Sequence, residues 1–377
     1  MRIAAVGDGH LGRSYYPSVT DEGVNTRERD FEISFLKAID KICESQVDLV
    51  VWLGDIFDHP RPTYRSFRVA QAGLVKLRQS GLQCILISGN HDTPRLPGTG
   101  NPYLVLADRF EADPTRSSGM GFATTYSYEC FDLGDVVIHA VPQMLCVEDT
   151  LNALEQAKTN RAADKVNLLI THPRVPQVQP RYSDINEIEI DAAKLQFWDF
   201  VLLGHYHTFT TVYERMWYAG ATDTFSFADD PTAAKGFVIL DTDTGVCSHY
   251  PLDNQRPLIT VNIPALGCSA SELTQLIAKQ LEPLDEGAVV RCYLDGVQAQ
   301  DYRLIDSEVV HEASRHLLHL KLDPNFLEVK NQVELPTLDS MQARWSRYLQ
   351  HQDLSSFDKS QLEELGNKYL IEAVERE

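Results

Sequence analysis

Five short polar clusters, each following an apolar run, hold the side chains of this sequence best suited to chemistry. They are Asp8-Gly9-His10, Gly54-Asp55-Ile56-Phe57-Asp58, Gly89-Asn90-His91-Asp92, Thr171-His172-Pro173 and Gly204-His205-Tyr206-His207. Carboxylate, imidazole and amide oxygen are hard-to-borderline donors, which suit manganese, iron or zinc rather than a soft-metal thiolate site. Enough of them are present for two ions. Any one cluster has a plain structural explanation, because Gly-Asp after a strand is a common turn and a histidine beside a strand is commonly a hydrogen-bonded core residue. Five in order, each closing a strand-like run, form a pattern that turns and core residues do not by themselves produce. The seven cysteines (Cys43, Cys84, Cys130, Cys146, Cys247, Cys268 and Cys292) contain no Cys-x-x-Cys pair. Reduced, mostly buried thiols are therefore expected, not a disulfide framework or a thiolate zinc site.

The elements that must position these residues are legible as periodicity. Apolar runs at 3–6, 49–53, 84–87, 136–141, 167–170 and 200–203 alternate with helical patterns such as 30–43 and 64–79, predicting a layered α/β domain. In such a domain loops at the strand ends converge while the sheet fixes their positions. The later runs at 216–219, 236–240 and 246–250, with Asp243-Thr244-Gly245 as turn chemistry, predict an antiparallel continuation. A boundary falls near 251–257, giving a first domain over 1–254 and a small α+β domain over 255–330. The second reads strand, helix (269–281), strand (288–294) and helix (307–317). Residues 331–377 read as linker and helices, the linker-like stretch beginning at Asp323. Leu338, Met341, Trp345, Tyr348 and Leu349 share one helical face, and Leu362, Leu365, Tyr369 and Leu370 another. Ser360-Gln361-Leu362-Glu363 is a capping-box pattern for the second helix.

Composition narrows the class. The 377 residues exceed one domain of roughly 100–200 residues, and 43% hydrophobic with 23% charged residues is a globular composition. No apolar stretch approaches the roughly 18 residues of a membrane span. The chain opens with Met1-Arg2-Ile3-Ala4 and no signal-peptide pattern, so no membrane association and a cytoplasmic location are expected. Fifty-four acidic against 34 basic residues leave a net charge of -20, spread over both halves. A phosphate-rich partner must then be met through local patches, metal ions or another subunit.

In its motifs and their order the chain resembles the calcineurin-like metallophosphoesterase superfamily. That signature is Asp-x-His, Gly-Asp-x-x-Asp, Gly-Asn-His-Asp/Glu, His and Gly-His-x-His. Within it the chain is similar to the SbcD-type nucleases of DNA double-strand-break repair. The closer likeness rests on Asp8-Gly9-His10-Leu11-Gly12, on Gly54-Asp55-Ile56-Phe57-Asp58, on Asp92 after Gly89-Asn90-His91, and on Tyr218-Ala219-Gly220-Ala221-Thr222 followed by Ser226-Phe227. The resemblance implies a layered α/β/β/α domain, a small α+β domain capping it over DNA, and C-terminal helices. It implies two manganese ions per chain, with magnesium, iron or zinc as alternatives. Asp8, His10, Asp55 and His207 would hold one ion; Asp55, Asn90, His172 and His205 would hold the other, with Asp55 bridging. His91 would protonate the leaving oxygen and Asp58 would orient it. The implied activity is 3'-to-5' exonuclease action on duplex ends and endonuclease action on single strands or hairpins. A homodimer and an SbcC-type coiled-coil ATPase, docked on the C-terminal helices, are the implied partners. Gly9 is smaller than the pattern expects, and Pro173 after the fourth cluster is unusual.

The remaining basic residues near these clusters, Arg13, Arg61, Arg65 and Arg68, and more weakly Arg95, are candidates for DNA phosphates or for a solvated face paired with acids. Arg61, Arg65 and Arg68 share a face if their helix begins early. Val69, Leu74 and Leu77 fit either a core or a dimer surface. His311, His316 and His319 do not fall on one helical face, and His59 reads as a surface-loop residue. A phosphatase or cyclic-nucleotide phosphodiesterase would use the same metal core, but Asp58-His59-Pro60 stands where a protein phosphatase has Asp-Arg-Gly. A metal-free scaffold should have lost ligands, and all seven are present.

Overall fold

The computed structural model describes residues 1–110, 119–123, 126–178, 187–230, 232–327, 338–350 and 358–374. From the N-terminus, β1 (Arg2–Val6), α1 (Thr26–Glu44), β2 (Leu49–Trp52), α2 (Tyr64–Gln79), β3 (Gln83–Ile87), α3 (Pro102–Phe110) and β4 (Met120–Ala123) alternate as the periodicity predicts. There follow β5 (Glu129–Asp132), β6 (Val136–Val141), α4 (Val147–Thr159), β7 (Val166–Thr171), β8 (Phe200–Leu203), β9 (Thr210–Tyr213) and β10 (Met216–Tyr218), then the hairpin β11 (Gly236–Asp241) and β12 (Val246–Pro251). They build two six-stranded sheets, ordered β12-β11-β1-β2-β3-β4 and β5-β6-β7-β8-β10-β9. β2, β3 and β8 are apolar at nearly every position because both faces of these parallel strands are covered.

Burial shows the layering directly. One face of the first sheet (Val6, Val50, Trp52, Leu86) packs on Phe35 and Ile39 of α1 and on Leu74 and Leu77 of α2. Its other face (Ile3, Val51, Ile85) meets Ile138, Leu168 and Leu202 of the second sheet, whose outer face covers Leu154 and Ala157 of α4. The result is an α/β/β/α sandwich. Leu74 and Leu77 are thus core, with Val69 packed at its edge.

Several elements differ from the sequence expectation. The late strands divide between the sheets: β11 runs antiparallel beside β1 and β12 antiparallel beside β11, whereas β10 pairs parallel with β8 and antiparallel only with β9. Periodicity marks a strand but cannot assign its partner. The following unit comprises β13 (Leu258–Pro264), α5 (Ala270–Leu281), β14 (Val289–Val297), α6 (Ala299–Arg303), α7 (Ser307–Ala313) and β15 (His319–Phe326), a three-stranded parallel sheet. Asp323 therefore lies in a strand and not in a linker, and the helix at 307 stops at 313. Pro324 is accommodated because β15 is an edge strand, where a missing N–H costs no ladder bond.

The chain closes with α8 (Leu338–Gln350) and α9 (Lys359–Val374), which pack on each other. Asp358, not Ser360, caps α9 by accepting from the Ser360 and Gln361 N–H groups. Glu363 instead takes the Ser346 hydroxyl of α8, so the capping box is not formed. All seven cysteines are free, and only Cys84 and Cys292 are fully buried.

Candidate metal centre

β1, β2 and β3 lie side by side and parallel, as do β7 and β8 in the facing sheet. Their C-terminal ends thus open at one edge of the sandwich, and the five polar clusters start there. The loops are tied to one another: the Asp8 N–H donates to the Gly54 carbonyl at 3.1 Å, the His10 N–H to that of Asp55 at 3.0 Å, and the His205 N–H to the Asp8 carboxylate at 3.2 Å. Asp8, His10, Asp55 and His205 sit at φ of 50°, 41°, 52° and 93°. Left-handed backbone at non-glycine residues costs on the order of 1–3 kcal/mol each and persists where the surroundings over-determine it, commonly at functional sites. Gly9 is explained by space, since a Cβ there would lie 3.1 Å from both Phe35 and Trp52. Pro173 ends the β7 ladder, and the Tyr218 hydroxyl fixes its carbonyl at 2.8 Å.

The seven expected ligands come together. Asp8, His10 and His207 bring donor atoms within 4.8 Å of one another, as do Asp8, Asp55 and His172. Asp55 Oδ2 stands 3.8 Å from His10 Nε2 and 3.2 Å from His172 Nε2, between the two groups. Its Oδ1 accepts the His91 N–H at 2.8 Å, which leaves Oδ2 as the oxygen facing both histidines. Asn90 Oδ1 lies 3.1 Å from both His172 Nε2 and His205 Nδ1. His172 Nδ1–H donates to the Leu53 carbonyl at 2.5 Å, which turns Nε2 inward.

These residues fit a pair of divalent cations. His10 Nε2 is buried with no hydrogen-bond partner among the described residues, while Nδ1 faces the Asp58 carboxylate at 3.3 Å; a buried polar atom left like Nε2 needs a partner the protein does not supply. Burial pulls the His10 pKa down to about 4, which keeps the imidazole neutral with its lone pair available. Burial alone would raise Asp55, but His172 and His91 beside it hold its carboxyl well below the usual carboxylate range. Conversely, burial opposes charge on His172, yet Asp55 raises it to about 9. Carboxylates that draw a proton onto a buried histidine will draw a cation as well.

His91 stands at the rim of this cluster. Its Nδ1–H donates to the main-chain carbonyl of Asp58 at 2.9 Å, while the Asp58 carboxylate is 3.8 Å away and nearer to His10 Nδ1, at 3.3 Å. Burial lowers the His91 pKa, but Asp55 and the Asp58 carbonyl outweigh it and raise it. Behind it, the Asp92 carboxylate accepts from the Phe57 and Gly89 N–H groups, and burial with Asp55 nearby pushes its pKa up to about 7.

The arginine candidates divide. Arg13 pairs with Asp58 at 3.2 Å and lies 4.3 Å over the Phe225 ring. Arg65 is committed to the buried Glu32 through two bonds of 2.6 and 2.7 Å. Arg61 precedes the Thr63 cap of α2 and so does not share its helical face with Arg65 and Arg68. Arg61 and Arg68 are exposed. His59 is exposed and accepts the Arg61 N–H; His319 stacks on Tyr16 at 4.2 Å, away from any ligand cluster among the described residues.

Phe225, Asp229, Lys235 and Glu187 also border the centre, although none of them belongs to a strand-end cluster. The Phe225 ring packs 4.3 Å from His10 and 4.4 Å from His207, and Glu187 Oε1 lies 3.4 Å from His205 Nε2. Only the adjacent Ser226-Phe227 pair gave a signal.

Comparison with known proteins agrees with this geometry. A chain of Methanococcus maripaludis named DNA double-strand break repair protein Mre11 is 28% identical over 252 residues, covering 64% of this chain and 63% of that one. The protein of the same name from Methanocaldococcus jannaschii is 22% identical over 90% of this chain and 87% of its own length. That from Thermoplasma acidophilum is 29% identical over 68% and 67%. The chain thus spans from somewhat under two thirds to nearly nine tenths of these relatives. The profile described as calcineurin-like phosphoesterase matches residues 1–209, which contain all five strand-end clusters. With that match over more than half of its length, and with the ligands gathered at one edge of an α/β/β/α sandwich, the chain belongs to the calcineurin-like phosphoesterase family.

Proposed function

We propose that the protein is a two-metal DNA nuclease of double-strand-break repair, acting as a 3'-to-5' exonuclease on duplex ends and an endonuclease on single strands and hairpins. The observation that carries this reading is the gathering of the seven candidate ligands at one edge of the sandwich, with the buried Nε2 of His10 left unpartnered among the described residues. The names of relatives aligned over up to 90% of the chain support DNA as the substrate. Two divalent cations, when bound, supply a hydroxide near neutral pH and neutralise charge on a phosphodiester. Manganese is the expected ion. Asp8, His10, Asp55 and His207 would hold one, and Asp55, Asn90, His172 and His205 the other. Asn90 offers a neutral carbonyl oxygen, which limits the negative charge facing an anionic substrate.

His91 is the general acid in this reading. With Nδ1–H engaged by the Asp58 carbonyl, Nε2 is the nitrogen directed to a leaving oxygen, and the raised pKa favours the proton-bearing form. The unit from β13 to β15 caps the site over DNA, and α8 with α9 docks an SbcC-type coiled-coil ATPase; a homodimer and a cytoplasmic location complete the reading. The test compares manganese-dependent cleavage of duplex, single-stranded and hairpin DNA with hydrolysis of p-nitrophenyl phosphate. Turnover of the small ester with none of the DNA substrates would replace the nuclease by a phosphatase.

A further inference from the structure

Asp229 lies two residues beyond the Ser226-Phe227 pair and is fixed in a manner that its surroundings alone do not require. Its Oδ2 accepts the Phe225 N–H at 2.7 Å and faces the buried Lys235 ammonium at 3.3 Å. Lys235 also donates to the His207 carbonyl at 2.7 Å, so one cation holds both the carboxylate and the main chain of the histidine it faces. The other oxygen, Oδ1, points at His207 Nδ1 from 3.7 Å. Phe225, anchored by the same carboxylate, packs on the His10 and His207 rings.

We infer that Asp229, held by Lys235, is the positioning carboxylate of His207, keeping the proton on Nδ1 so that Nε2 presents its lone pair to the ion shared with Asp8 and His10. Carboxylate partners on the remote ring nitrogen of a metal-binding histidine fix its tautomer and orientation. The inference rests on the two-metal reading above and deepens it. It also has a tautomeric consequence. In Asp229→Asn, Lys235 and the Phe225 N–H both donate, so they select the amide oxygen and turn the amide NH2 toward His207. That donor would demand an unprotonated Nδ1 and move the proton to Nε2, where it blocks the ion.

Titration of the full chain with Mn2+ alone tests this, with affinities from calorimetry and coupling between the ions from electron paramagnetic resonance. The wild type should bind two ions and give an exchange-coupled dimanganese spectrum. Asp229→Asn should keep one ion and show the spectrum of isolated Mn2+, with the other site weakened by about 10- to 100-fold. In a His207→Ala background, Asp229→Asn should weaken binding no further; an additive loss would overturn the inference. Two ions bound with wild-type affinity by Asp229→Asn would also overturn it, while leaving the two-metal reading intact. A wild type that binds no more than one ion would overturn that reading and the inference with it. Should the variant fail to fold, the wild type decides: in zinc-loaded protein with nitrogen-15 histidine, assigned by the peak lost in His207→Gln, the His207 proton should be on Nδ1. A proton on Nε2 would overturn the assignment.

Discussion

Replacing Asp55 by asparagine should be the most damaging single change at the centre, because Oδ2 lies between the two groups of ligands and an amide oxygen carries little of the charge both ions need. Both ions and DNA cleavage should be lost even at millimolar manganese. Two bound metals with near-normal cleavage in Asp55→Asn would refute the bridge. His91→Asn should behave differently: metal binding and DNA binding stay, while cleavage falls by about 10²- to 10⁴-fold. The raised His91 pKa also sets a sign. The acid must carry its proton, so the cleavage rate should decline as pH rises through that raised value, and the decline should vanish in His91→Asn. A second pH effect belongs to His172, protonated below about 9 in the metal-free protein. A ligand imidazole must be neutral, so manganese binding at pH 7.5 should release about one proton, and affinity should strengthen with rising pH. Calorimetry in buffers of different ionisation enthalpy measures the release; none at all would place His172 outside the coordination sphere.

At the scale of elements, α2 and the loop after β3 make opposite demands on their residues. On α2, Arg65 neutralises a buried Glu32 whereas Arg68 faces solvent. Arg65→Ala should cost about 1–3 kcal/mol of stability, the penalty of weakening a buried charged hydrogen-bond network, with Arg29 still bonded to Glu32 at 2.9 Å. Arg68→Ala should leave the melting temperature unchanged; if it contacts phosphate, it should weaken binding to all DNA sequences alike and lower the salt slope by about one. Chemical denaturation and salt-dependent binding separate the two. In the loop after β3, a Cβ at Gly89 would fall 2.2 Å from Asp55 Oδ1, so Gly89→Ala should displace the Asp55 carboxylate. Its metal affinity should drop together with about 1–3 kcal/mol of stability. Unaltered manganese affinity in Gly89→Ala would show that Asp55 has room to spare.

The whole molecule is acidic, and its last two helices present apolar side chains outward. At -20 the protein alone should bind duplex DNA weakly, because affinity rests largely on basic residues neutralising phosphates. Trp345 of α8 packs against Gly366 of α9, holding the pair together, while Tyr348, Leu365 and Tyr369 remain exposed. An apolar helical surface of this kind suits a partner's helices. Removing residues 337–377 should leave manganese-dependent cleavage of single strands intact while abolishing association with a coiled-coil ATPase partner. A truncated protein that still co-purified with that partner, or one that misfolded, would end the docking role.

The sequence by itself determined the strand-end clusters and the alternation of strands with helices, because polar interruption of apolar runs and side-chain period are local properties. It therefore carried the seven ligand candidates, the layered fold and the course of α1 and α2 with few errors of extent. Pairing is not local, and only the tertiary structure decided it. It set β10 parallel beside β8, turned 319–326 into an edge strand, and consigned Leu74 and Leu77 to the core. It also took Arg65 away from solvent, because Glu32 lies 33 positions back along the chain. For the same reason Asp229 and Lys235 carried no sequence signal: their meaning is the distance to His207, which is created only when the loop after β10 folds over the ends of β1 and β8.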